Sequence, residues 1–90
     1  MKYHYLSERE FFSKCPCAGN LKSYVKTLVP TKTNIDFVLA EISDSDENTY
    51  IATYDVLASD ETAARRLEVS CTELPCNEAQ YKIVSDNEIR

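Results

Sequence analysis

Apolar residues recur along this chain with two periods, and the change from one to the other marks the elements. Over 50–57 the side chains alternate. Tyr50, Ala52, Tyr54 and Val56 share one face, and Ile51, Thr53, Asp55 and Leu57 the other. A period of two, rich in aromatic and β-branched residues, predicts a strand. The pattern then switches. Ser59 stands where an N-cap belongs, Asp60 and Glu61 follow where a helix dipole favours negative charge, and Ala63, Ala64, Leu67 and Cys71 recur at helical spacing. This predicts a helix over 60–72 running straight out of the strand.

The rest of the chain is read the same way. Residues 1–6 permit a short strand. Ser7 and Glu10 have capping-box spacing and Leu6 with Phe11 fits a hydrophobic staple, which predicts a helix over 8–14. Pro16 and Gly19 break it, Gly19 being able to turn left-handed. Asn20 can cap a second helix, on which Leu21, Tyr24, Val25 and Leu28 form one stripe until Pro30; a strand over 23–29 is the alternative. Residues 35–42 are apolar on both faces, as in an inner strand. The polar run 43–49 then makes the tip of a hairpin with the strand after it. A last short strand over 80–84 precedes a loose tail. The expectation is an α+β fold in the order α-α-β-β-α-β: a three- to four-stranded, mainly antiparallel sheet with two or three helices packed on it. It forms one domain over 1–90, with a mainly helical part over 1–34 and a ββαβ part over 35–90.

Charge sharpens that division. Residues 1–34 carry six bases against two acids, and residues 35–90 carry thirteen acids against four bases. From Thr33 through Ala64 there is no Lys or Arg, while eight acids fall there: Asp36, Glu41, Asp44, Asp46, Glu47, Asp55, Asp60 and Glu61. Such asymmetry points to an interaction surface; its plainer meaning is a solvated acidic edge that keeps a small protein in solution. A single glycine argues against a glycine-rich phosphate-binding loop. With no apolar run of membrane length and no signal-peptide stretch at the start, a reduced cytoplasm is the expected setting.

Candidate chemistry is sparse. Cys15 and Cys17 form C-x-C, and Cys71 and Cys76 form C-x4-C. Four cysteines suffice for a structural zinc site, although the first spacing is tight. A disulfide joining the Cys15–Cys17 turn to Cys71 or Cys76 is sterically plausible but fits a cytosolic chain poorly, so free core thiols are the preferred reading, with no metal or other cofactor. His4 is the only histidine, and a cysteine–histidine pair needs a third group to orient it. The chain is therefore read as a non-enzyme. A helix-turn-helix-like use of the basic segment, with Lys14, Lys22, Lys26 and Lys32 beside Tyr24, is opposed by the acidic half, which repels phosphate.

The reading that remains is an acidic binding module. Carboxylates without interleaved bases imitate a phosphate backbone and are drawn to a basic groove. The candidate contact residues are Glu41, Asp44, Asp46, Glu47, Asp55, Asp60 and Glu61, with Tyr50 and Tyr54 as aromatic anchors. A small acidic chain with a hairpin, the passage Ala58-Ser59-Asp60-Glu61 leading on to Ala64, and no catalytic motif resembles the phage-encoded inhibitors of bacterial defence, of anti-CRISPR and anti-restriction type. The resemblance implies a monomer or homodimer in the cytoplasm of a bacterial host. Such a protein would block the basic, nucleic-acid-handling surface of a CRISPR or restriction complex, with no nucleic acid or membrane bound directly.

Overall fold

The capping box forms as its spacing requires. Ser7 Oγ accepts from the Glu10 amide at 3.2 Å, and the Glu10 carboxylate accepts from the Ser7 amide at 3.3 Å. This fixes the start of α1 (Glu8–Lys14) in a computed structural model that describes residues 5–30, 32–42, 48–75 and 78–89. Cys15 closes α1, its amide bonding back to the Phe11 carbonyl at 2.8 Å. The second helix, α2 (Ala18–Thr27), starts earlier than Asn20, from Cys17. Gly19 lies inside it and does not turn left-handed; the positive φ angles belong to Lys32 and Glu61.

All other elements are strands: β1 (Tyr5–Leu6), β2 (Ile35–Ile42), β3 (Thr49–Leu57), β4 (Ala63–Leu74) and β5 (Glu78–Glu88). They form one antiparallel sheet in the order β1-β2-β3-β4-β5, so each strand after β1 lies beside its neighbour in sequence. The expected α-α-β-β-α-β order, with three or four strands, is therefore corrected. The helix expected over 60–72 does not exist; that segment is a tight turn and then β4, paired on both edges. The expected strand 80–84 grows to the eleven residues of β5, which takes in most of the expected tail.

The turn between β3 and β4 explains why no helix starts there. The Ala58 amide donates to the Thr62 carbonyl at 2.9 Å, and the Asp60 carboxylate accepts from the Thr62 amide and hydroxyl at 3.2 and 2.7 Å. Asp60 thus caps a hairpin turn, Ser59 sits exposed in it, and Glu61 supplies the left-handed residue at φ 65°.

Strand register sorts the side chains into rows across the sheet. Ile42, Tyr50, Cys71 and Tyr81 make one row, Ala40, Ala52 and Val69 another, and Phe37, Tyr54 and Leu67 a third. These rows face the helices. Phe11 of α1 stacks on Phe37 at 6.0 Å between ring centres and meets Tyr50 at 5.7 Å. Phe37 meets Tyr54 edge-on at 5.5 Å. Tyr24 of α2 stacks on Tyr81 of β5 at 5.2 Å. With Leu21 and Val25 these residues form one core shared by helices and sheet. Among the described residues no helix is long and apolar enough to cross a membrane.

Candidate functional site

Among the described residues the opposite face of the sheet carries no helix, and the register gives its composition. One row reads Asp36, Asp55, Arg66, Asn87; the next Leu39, Thr53, Glu68, Ser85; the third Tyr5, Glu41, Ile51, Ser70, Lys82. These three rows hold four carboxylates against Arg66 and, towards the outer strand, Lys82. Asp36 and Asp55 are direct cross-strand neighbours, a repulsive pairing unless a cation joins them. Arg66 pairs with one of the two, Asp55, through both arms. Its Nε and Nη2 donate to the two Asp55 carboxylate oxygens at 2.7 and 3.1 Å. The charge-assisted fork neutralises the buried Asp55 and raises the pKa of the guanidinium, while Asp36 stays exposed.

Beside this row is an open depression of about 380 Å³. Tyr5, Val38, Leu39, Glu41, Thr53, Arg66 and Glu68 line it. Val38 falls at an irregularity in the β2 register, the position between the paired Phe37 and Leu39, and is 38% exposed. The depression thus offers apolar surface flanked by two carboxylates.

The described members of the expected contact set do not all share one face. Glu41 and Asp55 lie on the helix-free face. Asp60 and Glu61 belong to the turn after β3, at the end of the sheet that holds Asp55, whereas Glu41 pairs with Ile51 nearer the other end. Asp44, Asp46 and Glu47 lie outside the described residues. Tyr50 and Tyr54 are not surface anchors, because alternation turns both towards the helices, where they are 9% and 0% exposed. Burial raises both phenol pKa values. Glu68 was not among the expected contact residues, and Asp36 was counted only with the acidic run. Reading 60–72 as a helix hid the cross-strand row that brings Glu68 beside Thr53.

A second constellation sits under the turn between the helices. The backbone leaves Cys15 and Cys17 there, and β4 brings Cys71 up from below; all three are buried free thiols. The neighbouring Cys71 thiol lowers the Cys15 pKa, with help from the Cys17 backbone and against burial and Glu73, and Cys15 together with burial raises the Cys71 pKa. Burial raises that of Cys17. Glu73 stands beside the thiols with a buried Oε1 that has no hydrogen-bond partner. A cavity of about 280 Å³ lined by Pro16, Cys17, Asn20, Glu73, Leu74 and Glu78 opens next to them. Among the described residues no group of three or more His, Cys, Asp or Glu is arranged to hold a metal ion. Cys76 and His4 lie outside the described residues.

Compared with the models of known families, with curated proteins and with solved structures, the chain shows no match.

Proposed function

We propose that this chain is a non-enzymatic, acidic protein-binding module whose helix-free sheet face docks on a basic, nucleic-acid-handling protein. The supporting observation is the depression between Glu41 and Glu68, with apolar surface from Val38 and Leu39 and the exposed Asp36 nearby. A docking site needs both parts. Apolar contact supplies affinity, and the surrounding carboxylates select a cationic partner and speed encounter. The reading keeps the resemblance to small phage inhibitors of CRISPR or restriction complexes, acting in the cytoplasm of a bacterial host. It moves the contact surface from the acidic run alone to the face that β2, β3 and β4 build together.

The test is displacement. The protein is titrated into a purified CRISPR effector complex holding a fluorescent DNA duplex, and release is followed by anisotropy. Release is expected, and the double reversal Glu41→Lys with Glu68→Lys should weaken it at least tenfold while leaving the thermal melt in place. Lys22→Glu with Lys26→Glu should change it little. If the free protein binds the duplex tightly and the α2 reversal removes that binding, the basic helices carry the function and this proposal falls.

A further inference from the structure

The docking face occupies the middle of the sheet and leaves the rim of β5 unused. The strand order makes β5 an edge, and among the described residues no strand pairs with its outer side. It is eleven residues long and contains no proline. Such an edge is a template for a further strand, because its free N–H and C=O groups stand in a row. Lys82 turns its carbonyl inward, where Ser70 Oγ donates to it at 3.4 Å. By alternation Ala79, Tyr81 and Ile83 turn their backbone groups outward.

Two features narrow what pairs there. The first is the irregularity opposite Glu68 and Val69, where β5 has one residue more than β4. Before it, Ala79, Tyr81 and Ile83 share the helix face, while Glu78, Gln80 and Lys82 share the other. After it the parity inverts, with Asp86 on the helix face and Ser85 and Asn87 on the other. A strand that keeps its own faces aligned therefore pairs with one half of β5, and the longer half is 78–83. The second feature is charge. Asp86 is held by Arg65, but Glu78 and Lys82 are exposed and make no ion pair among the described residues. They stand four apart on one face, about 13 Å along the strand and too far to meet each other. Turned antiparallel on itself about Gln80, the segment is self-complementary. Lys82 then faces Glu78 of the second copy, Glu78 faces the second copy's Lys82, and Ala79 and Tyr81 exchange backbone bonds. A register centred on Tyr81 sets Lys82 against Gln80, and one centred on Lys82 sets two ammonium groups face to face.

We propose that two copies of this chain join through their β5 edges into a symmetric dimer, an antiparallel ladder over 78–82 with its two-fold axis at Gln80. The axis runs normal to the sheet, so the two five-stranded sheets become one, with the helices of both copies on one side and both helix-free faces on the other. Ile83, 41% exposed, comes diagonal to Ala79 of the second copy and gains apolar cover. The ladder is short and the interface small, so the dimer is weak and depends on protein concentration. The proposal stands on the edge and its charges and does not rest on the docking reading.

The test is sedimentation equilibrium of the full chain, kept reduced in low salt, from low micromolar to near-millimolar concentration. The parent is expected to pass from monomer to dimer. Lys82→Glu alone and Glu78→Lys alone each turn two attractive pairs into two repulsive ones, and each should weaken association by about tenfold or more. The double variant, Glu78→Lys with Lys82→Glu, restores both pairs in reverse and should return to within about threefold of the parent. Recovery by the double variant separates a lost pair from a damaged fold. In hydrogen exchange, the Ala79 and Tyr81 amides should slow as concentration rises. A chain that stays monomeric throughout, single reversals that leave the dimer intact, a double variant that does not recover it, or slowing confined to other strands would overturn the proposal.

Discussion

Tyr54 carries its hydroxyl into the centre of the core, where among the described residues nothing accepts or donates to it. A buried polar group without a partner costs about 1–3 kcal/mol of desolvation. Tyr54→Phe is therefore expected to hold or raise stability, by up to about 1 kcal/mol in a urea melt, although it alters a core residue. A clear loss would mean the hydroxyl has a partner. Asp86 makes the opposite case on the exposed outer strand. Arg65 donates to it through Nε at 2.6 Å and through Nη2, and this pairing holds its carboxyl below the usual 3.8. A group whose folded pKa is lowered stabilises the fold fully above the unfolded value, and that contribution disappears as pH falls through the folded value. Asp86→Asn should thus be less stable than the parent at neutral pH and converge with it in acid, as pH falls through the lowered folded value. Parallel curves across the acid range would show that the ion pair does not link folding to protons.

At the level of the element, the segment after β3 separates the two readings most cleanly. Were Ser59 a helix N-cap, Ser59→Ala would cost about 1 kcal/mol. Exposed in a hairpin turn that Asp60 closes, it should cost close to nothing in the same melt. Leu67→Ala should cost roughly 2–5 kcal/mol, because Leu67 is fully buried beside Tyr54. A neutral Leu67→Ala would remove β4 from the core. The helix expectation failed for a definite reason. Leu67 and Cys71 are four apart, a spacing that suits a helix turn and two strand repeats alike. Val69 between them decides: it is fully buried, which only a period of two allows for all three. Ala63, Ala64, Arg65 and Arg66 favour a helix locally, and pairing to both β3 and β5 overrides that preference. Where local signals and tertiary position agree, as at Ser7 and Glu10 or along 35–42, the sequence was legible.

Across the whole molecule, charge is distributed by the sheet rather than by the order of residues. The acidic run over 36–61 is continuous in sequence, and the β2–β3 hairpin folds it back so that Asp36 lies beside Asp55 near the turn of Asp60 and Glu61, while alternation sets Asp36, Glu41 and Asp55 on the helix-free face. Charge asymmetry told that an acidic surface exists. Its location depended on register, which a one-residue slip inverts and which composition does not encode. The thiols were legible as four cysteines, and their burial in one core with β4 followed only once residues 63–74 were placed as a strand. If the helix-free face binds a basic protein, displacement should weaken from 50 to 300 mM salt, mainly through a slower on-rate, as screening shortens to roughly 6–8 Å. Salt-independent displacement would leave the carboxylates without a part in recognition.

The meander also dictates how the chain matures. From β2 onward every strand pairs with the one just made, so the sheet can zip up from short-range hairpins as fast as the chain is supplied. The helices come first in sequence but find their seat late: Phe11 waits for β2 and β3, Leu21 and Val25 for β4, and Tyr24 for β5. During synthesis the helical hairpin is therefore expected to leave the ribosome with its apolar stripe bare and to stay a target for chaperones until Tyr81 has emerged. A nascent chain halted before β4 should be held by them; one that has completed β5 should be released.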